Sequence, residues 1–269
     1  AGYAFNNCTA LNTIDLPASL ETIGEYAFNG CGKLSTIDGK ENKLELPSNL
    51  YSIGQGAFCG VALIKDIVVP ESVTTIGWSA FAGCNSLVNL TVPFIGESES
   101  ASGEAYDTAL GHFFGDGDND SNHNYASSSS YVYLTSGSNG YTTQGRDANS
   151  YSGPYYFAIP KTLKTVTVTV QTSIPDYAFE NCDLIESITI PDSATNIGIN
   201  AFQNCAKLST LNNTTAGSVT IPDGITTVSQ YVFSGCSAIK SVEMSDGVKE
   251  IAGYAFNNCT ALNTIDLPA

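Results

Sequence analysis

The sequence predicts a solenoid of parallel strands with short helical or 3-10 turns, interrupted by one long insertion. The first indication is a unit that recurs after 23 residues in three places: from Ile53 to Ile76, from Ile174 to Ile197 and from Val228 to Ile251. The second is that a single unit cannot bury its own apolar edge, whereas stacked units bury it against their neighbours. The third is that the repeats stop near residue 94 and resume near residue 163.

Each unit contains one predicted strand and one predicted turn. Residues 87–93 alternate apolar and polar side chains at their end, which is typical of a short strand that a proline terminates. The A-F-x-x-C stretch that precedes this strand is expected to form one helical or 3-10 turn. Two units are longer than the others because small insertions follow Ile37 and Leu211.

One phenylalanine recurs at the same place in every unit. These residues are Phe5, Phe28, Phe58, Phe81, Phe179, Phe202, Phe233 and Phe256. We interpret the column as a buried aromatic spine that runs through the stacked units. The residue before most of them is alanine, and such a small side chain allows successive turns to approach closely.

The complete unit, L-P-x-x-L-x-x-I-G-x-x-A-F-x-x-C-x-x-L-x-x-I-x-L-P, resembles the BspA-like leucine-rich repeats, also called the Treponema pallidum type. The resemblance covers residues 1–94 and 163–269. It implies a leucine-rich-repeat solenoid with parallel strands on the concave face, a secreted or cell-surface location, and a role in adhesion or in binding host proteins. It implies no catalytic residues, and membership of a repeat family does not assign a ligand.

Seven of the eight cysteines also form a column, eight positions after the leading aliphatic residue: Cys8, Cys31, Cys84, Cys182, Cys205, Cys236 and Cys259. Cys59 lies two positions early, and Val61 takes the usual place. A column that accepts valine indicates small buried apolar groups, and a free cysteine behaves as one. The C-x-x-C spacing of metal sites is absent. Disulfides between neighbouring units stay open at this point.

The predicted insertion spans residues 95–162 and separates repeats 1–94 from repeats 163–269. It is rich in Ser, Gly, Asn and Asp, and it contains eight tyrosines: Tyr106, Tyr125, Tyr131, Tyr133, Tyr141, Tyr151, Tyr155 and Tyr156. Two interpretations stay open. The insertion is either a partly ordered loop whose aromatic residues Phe113, Phe114, Tyr155 and Phe157 cover the solenoid, or a recognition surface whose tyrosines bind a glycan or a host protein. Residues 131–134 and 155–159 both have strand-like patterns.

A run of oxygen-bearing side chains lies inside the insertion, at Asp116, Asp118, Asp120 and Asn122. This alternation is what calcium requires, although Ser121 occupies the position where a calcium loop needs glycine. A solvated acidic turn is the default interpretation, with calcium as the alternative and no other cofactor expected. The two histidines of the chain, His112 and His123, flank the run. We expect them to be exposed loop side chains, with a transition-metal site as the alternative.

Charge and motifs exclude several classes of function. The 26 acidic and 10 basic residues give a net charge of -16, which argues against nucleic acid as a partner. No apolar run is long enough to insert into a membrane. The motifs of serine hydrolases, zinc proteases and phosphate-binding loops are absent, so we expect no enzymatic activity.

Residues 1–18 recur without change as residues 252–269. Repeat patterning explains the apolar positions but not Asn6, Thr9 or Asp15, which vary freely in other units. Neither end carries the polar cap that usually closes a solenoid. We therefore expect an excerpt of a longer polymer with a 251-residue super-repeat, in which the partner is either a tandem copy in one chain or an identical subunit stacked end to end. The alternative is a local duplication.

Overall fold

A computed structural model describes residues 1–101, 105–115, 142–144 and 155–267. It confirms the predicted fold, because parallel strands wind into a solenoid in which each turn stacks on the previous one. We call one such turn a rung.

Short strands make up most of the regular structure. In chain order they are β1 (Thr13–Ile14), β2 (Thr22–Ile23), β3 (Thr36–Ile37), β4 (Lys40–Glu41), β5 (Lys43–Glu45), β6 (Ser52–Ile53), β7 (Asp66–Val68), β8 (Thr75–Ile76), β9 (Asn89–Val92), β10 (Thr142–Gln144), β11 (Tyr155–Phe157), β12 (Thr165–Val168), β13 (Ser173–Ile174), β14 (Ser187–Thr189), β15 (Asn196–Ile197), β16 (Thr210–Leu211), β17 (Ser218–Thr220), β18 (Thr227–Val228), β19 (Ser241–Glu243), β20 (Glu250–Ile251) and β21 (Thr264–Asp266). Among the described residues, helical structure is confined to the helix α1 (Ala105–Thr108) and the 3-10 segment η1 (Leu110–Phe113).

Nine strands form one continuous sheet, in the order β5, β7, β9, β12, β14, β16, β17, β19 and β21. Consecutive strands are parallel, and their register aligns the central aliphatic residues: Leu90 lies opposite Ile67 on one side and Val166 on the other. Strands β9 and β12 are direct neighbours although the insertion separates them in sequence. The ladder of the solenoid is therefore unbroken across the insertion.

Most rungs contain a second strand of two residues at the leading aliphatic position. Strands β2, β6 and β8 form one small parallel sheet, β13 and β15 another, and β18 and β20 a third. The aliphatic side chains of Ile53, Ile76 and Ile174 point inward and are at most 1% exposed. Burying one such side chain contributes about 1.5–3 kcal/mol, so the core between the two strand rows stabilises strands that are too short to be stable alone.

The glycine that follows the leading aliphatic residue allows the rungs to approach closely. A Cβ atom on Gly54 would lie 2.5 Å from the backbone nitrogen of Glu25, and one on Gly77 would lie 2.3 Å from that of Gln55. No real side chain tolerates such distances. The I-G pair in the repeat is thus a packing requirement at these rungs.

Each of the two small insertions adds a short strand to the solenoid. After Ile37, β3 and β4 form an antiparallel hairpin whose turn residues Asp38 and Gly39 have φ values of 49° and 71°. Two left-handed residues are typical of a tight hairpin turn. After Leu211, β17 pairs with β16 and adds a strand to the main sheet, with Leu211 opposite Val219.

Candidate functional site

The A-F-x-x-C segment of each rung is a chain of reverse turns. In the second rung the amide of Asn29 donates to the carbonyl of Tyr26 at 3.2 Å, and the amide of Cys31 donates to that of Phe28 at 3.1 Å. These are 3-10-like contacts, but Tyr26 and Gly30 have φ values of 52° and 75°. Such left-handed residues prevent a regular helix from forming, so the predicted turn exists without becoming a helical element.

Backbone hydrogen bonds that all run in one direction join the turn segments of successive rungs. The amide of Phe28 donates to the carbonyl of Ala57 at 2.7 Å, and that of Gly30 donates to the carbonyl of Cys59 at 2.8 Å. The same pattern recurs along the solenoid. Each turn segment therefore presents amides to the next rung and carbonyls to the previous one.

The phenylalanine column forms the predicted aromatic spine. Six of its eight members are buried, and neighbouring rings stack at centroid distances from 5.1 Å, between Phe5 and Phe28, to 6.0 Å, between Phe58 and Phe81. Phe5 is 39% exposed and Phe256 is partly buried, since each belongs to a rung at one end of the described solenoid. Each aromatic pair adds about 0.5–1.5 kcal/mol beyond the burial of its area.

The cysteine column is buried as predicted, apart from Cys8, and all eight thiols are free. The thiol of Cys205 donates to the carbonyl of Phe179 at 3.0 Å, and that of Cys259 donates to the carbonyl of Phe233 at 3.1 Å. Each of these cysteines thus bonds the preceding rung, which valine cannot do. Burial raises the pKa of Cys59 to about 11 and raises that of Cys84 still further, so these thiols stay protonated near neutral pH.

The described start of the insertion takes the place of a turn segment between two rungs. The amide of Phe81 donates to the carbonyl of Phe113 at 2.9 Å, and the amide of Leu110 donates to the carbonyl of Ala178 at 2.8 Å. Phe113 lies edge-on to Phe81, with a centroid distance of 6.2 Å. The segment 109–115 thus continues the one-directional ladder across the insertion.

Buried aromatic residues attach both described ends of the insertion to the core. Phe113, Phe114 and Phe157 are at most 2% exposed, which confirms that these three cover the solenoid. His112 is also buried, and its Nε2 lies 2.8 Å from the carbonyl oxygen of Ile76. The expectation that this histidine is exposed was wrong, because it lies on η1 inside the substitute turn and not in a solvated loop.

Residues 1–16 and their described equivalents 252–267 have left-handed backbone angles at the same positions. The φ values of Tyr3 and Tyr254 are 60° and 63°, and those of Asn7 and Asn258 are 56° and 59°. In the first copy Cys8 donates its amide to Phe5 at 3.0 Å, and the equivalent bond from Cys259 in the second copy is 3.2 Å. Identical sequence thus adopts one conformation in two places.

The two copies contact the rest of the solenoid through opposite sides. In residues 1–18 the amide of Phe5 donates to the next rung, at the carbonyl of Ala27, over 2.7 Å. In residues 252–267 the equivalent of Ala4 is Ala255, whose carbonyl accepts from the previous rung, from the amide of Phe233, over 2.9 Å. Among the described residues, the carbonyl of Ala4 and the amide of Phe256 have no backbone partner.

Comparison with known protein families gives a match to the sequence of these rungs. The sequence profile described as "BspA type Leucine rich repeat region" matches six copies over residues 1–94, 150–216 and 210–269. The chain belongs to the BspA-type leucine-rich repeat family. The predicted resemblance is confirmed, and no curated protein matches the chain significantly.

Solved leucine-rich repeat structures align with most of this chain. A protein from Bacteroides ovatus is 21% identical, with 99% of this chain and 63% of that chain covered and a TM-score of 0.46. A cell-surface protein from Faecalibacterium prausnitzii is 24% identical, with coverages of 98% and 61% and a TM-score of 0.34. For the T. pallidum protein the identity is 18%, the coverages are 93% and 78%, and the TM-score is 0.39. This chain thus spans less than two thirds of the first two.

The predicted tyrosine surface of this BspA-type protein stays a prediction. The backbone of Tyr106 lies in α1, and that of Tyr155 and Tyr156 lies in β11, which pairs antiparallel with β10. The strand predicted at 155–159 is thus present. The side chains of these three tyrosines lie outside what the structure describes, as do all of Tyr125, Tyr131, Tyr133, Tyr141 and Tyr151 and the strand predicted at 131–134.

The predicted calcium ligands Asp116, Asp118, Asp120 and Asn122 also lie outside the described residues. Within the described ranges, no group of three or more His, Cys, Asp or Glu side chains could hold a metal ion. No helix in that part of the chain is long and apolar enough to cross a membrane. An open cleft of about 420 Å³ lies where the insertion begins, and the charged residues on its wall are Glu71 and Glu99.

Proposed function

We propose that this chain is a segment of a non-enzymatic structural or adhesive rod, secreted or displayed at the cell surface. In this proposal the rod lengthens end to end, through tandem copies in one chain or through identical subunits stacked as a fibre, with a 251-residue super-repeat. Its natural partner is therefore another copy of itself.

One observation carries the proposal. Residues 1–16 and the identical residues 252–267 each form a rung, and one copy uses its amide-donating side while the other uses its carbonyl-accepting side. A rung with both sides engaged is what the interior of a long solenoid contains, since each repeat contacts only its two neighbours.

Charge and family support the location and the absence of enzymatic chemistry. The net charge of -16 gives the rod an acidic surface, which repels nucleic acid and keeps neighbouring rods apart. The BspA-type repeat supports a role in adhesion or protein interaction. Seven of the eight thiols are buried, and burial raises the pKa of Cys84, for example, which makes such a thiol a poor nucleophile.

Labelling of the source cells tests the proposal. An antibody raised against the 269-residue chain is expected to label intact, unpermeabilised cells, and electron microscopy of the released material is expected to show rods longer than one chain. Labelling that requires permeabilisation, or particles with the length of a single chain, would contradict the proposal.

Capture of a glycan or a host protein by the insertion is the second candidate function. The composition of the insertion favours it, because its eight tyrosines lie among Ser, Gly and Asn residues, a combination typical of binding loops. Replacing Tyr131 and Tyr133 by alanine should then abolish binding to a glycan array or to host surface proteins. The control is Tyr51→Ala, which changes a repeat tyrosine that is 48% exposed and should leave binding unchanged.

Calcium belongs to this second candidate. If Asp116, Asp118, Asp120 and Asn122 hold the ion, a chelator should lower the melting temperature by an amount that depends on the free calcium concentration. An unchanged melting temperature would leave the segment as a solvated acidic turn.

A further inference from the structure

We propose that the polypeptide continues past the second copy into another 251-residue unit, so that residues 252–269 are at the same time residues 1–18 of that unit. The proposal rests on the proposed function, in which copies join end to end. It goes further by assigning the join: a single rung that two units share within one covalent chain, with no interface between separate subunits.

The two copies have identical residues even at positions that packing does not constrain. Thr9, Asn12 and Asp15 are exposed, and their equivalents Thr260 and Asn263 in the second copy are exposed as well. Exposed positions of this repeat vary freely between the other units. Identity at such positions indicates copied sequence, and 251 residues separate the copies.

The second step is that the two copies together supply a complete set of inter-rung bonds. Residues 1–18 show the side that faces the next rung, where the carbonyl of Phe5 accepts the thiol of Cys31 at 3.1 Å and the amide of Asn7 donates to Asn29 at 2.7 Å. Residues 252–267 show the other side, where the thiol of Cys259 donates to the preceding rung at 3.1 Å. Superposing the copies therefore gives one rung with both neighbours in place.

The aromatic columns continue through the superposed rung. Tyr254 stacks on Tyr231 of the preceding rung with a centroid distance of 4.9 Å, and its equivalent Tyr3 contacts Tyr26 of the following rung at 5.1 Å. The phenylalanine column does the same on both sides. The shared rung therefore leaves no break in either column.

The third step is that the following rung is shaped for this segment. A Cβ atom on Gly24 would lie 2.5 Å from the backbone of Ala1, and one on Gly30 would clash with the side chain of Asn7. In the shared rung the equivalents of Ala1 and Asn7 are Ala252 and Asn258, the same residue types. A unit that begins like residues 19–42 thus fits directly onto the rung of residues 252–267.

Stacking of separate subunits explains less. It would place the amides of residues 252–258 against the carbonyls of the identical residues 1–7 of another chain, so that two rungs of the same sequence would have to stack on each other. It would also leave the identity of the exposed positions unexplained. A shared rung requires only contacts that are already present.

Peptide mapping of the polypeptide from its source tests the covalent join. No lysine or arginine lies between Glu250 and Ala269, or between Ser19 and Lys33, where the next lysine lies. Trypsin should therefore release, after cysteine alkylation, a peptide in which the sequence of residues 250–269 runs directly into that of residues 19–33. A peptide from Glu250 that ends at Ala269, or that continues into another sequence, would overturn the proposal. If rods are observed although the peptide ends at Ala269, the covalent join is wrong, but the proposed function still holds with stacked subunits.

Hydrogen exchange tests the structure of the join. In a two-unit chain, residues 1–251 followed by residues 1–269, the first 18 residues of the second unit form the shared rung. Its amides equivalent to Tyr254, Phe256 and Asn258 should be protected at least about tenfold relative to the same amides of the 269-residue chain. The amide of Phe5, which is bonded in both chains, is the matched control. Equal exchange of the three amides in the two chains would show that the next unit does not stack on this rung.

Discussion

Truncation of one phenylalanine in the spine tests whether neighbouring rungs stabilise each other through this column. Phe202 is fully buried and stacks on Phe179 at 5.4 Å and on Phe233 at 5.3 Å. We expect Phe202→Ala to lower the free energy of unfolding by about 4 kcal/mol, within the range for a buried phenylalanine. Of this, about 1–3 kcal/mol comes from the two ring contacts, at about 0.5–1.5 kcal/mol each.

The matched control is Phe5→Ala. Phe5 occupies the same column, but it is 39% exposed and has one described ring neighbour, Phe28, at 5.1 Å. With one ring contact and roughly three fifths of the burial, its loss should cost about 2 kcal/mol. The difference between the two variants therefore isolates the effect of a complete set of neighbours.

Urea denaturation followed by circular dichroism measures both free energies. Solenoids can lose two-state behaviour, so hydrogen exchange of the amides of Cys205 and Cys236 should accompany the denaturation curves and locate the destabilised rungs. If Phe202→Ala costs no more than Phe5→Ala, the spine does not couple the rungs and the reasoning is refuted.

Three further predictions concern packing and the thiols. Gly77→Ala should lower the melting temperature, because its Cβ would clash with the preceding rung, whereas Gly253→Ala, which has open space, should change the free energy of unfolding by less than about 0.5 kcal/mol. Cys8 should react with a thiol reagent in the native chain, while buried Cys84 should react only after unfolding, as mass spectrometry of the labelled peptides would show. Stability should fall between pH 9 and about 11, since burial raises the folded pKa of Cys59 to about 11 and unfolded thiols ionise first. A variant without cysteines shows how much of the change in melting temperature comes from the ionisation of lysine and tyrosine. If the natural chain loses no more stability than this variant between pH 9 and about 11, the last prediction is contradicted.

Periodicity was sufficient to predict the rungs, because each repeated apolar position has a single packing role. Leu90 and Phe58 recur at fixed offsets, and both are buried at the predicted places. The second strand of each rung was not predicted. A strand such as Thr75–Ile76 has only two residues, which is too short for a pattern of alternation, and its pairing depends on the neighbouring rung.

Two features of the candidate site depended on contacts between distant segments. The bond from Cys205 to Phe179 joins residues 26 apart, and the repeat pattern identifies the cysteine column without its acceptor. His112 is buried because the segment around it replaces a turn, although this segment lacks the A-F-x-x-C letters. The only sequence signal for that role is the apolar content of residues 109–114, which include Phe113 and Phe114.

The uniform direction of the bonds between turn segments gives the solenoid a polarity. From the amide of Tyr3 to the amide of Gly235, every backbone bond between described turn segments donates toward the carboxyl-terminal end. The cysteine thiols donate in the opposite direction, to the preceding rung. Two solenoids that meet through like ends would oppose amide to amide or carbonyl to carbonyl and would leave these groups unbonded, at a cost of about 1–3 kcal/mol for each group that becomes buried. Any rod built from this unit is therefore a directional filament with chemically different tips, and attachment to a surface through one tip determines which tip points outward.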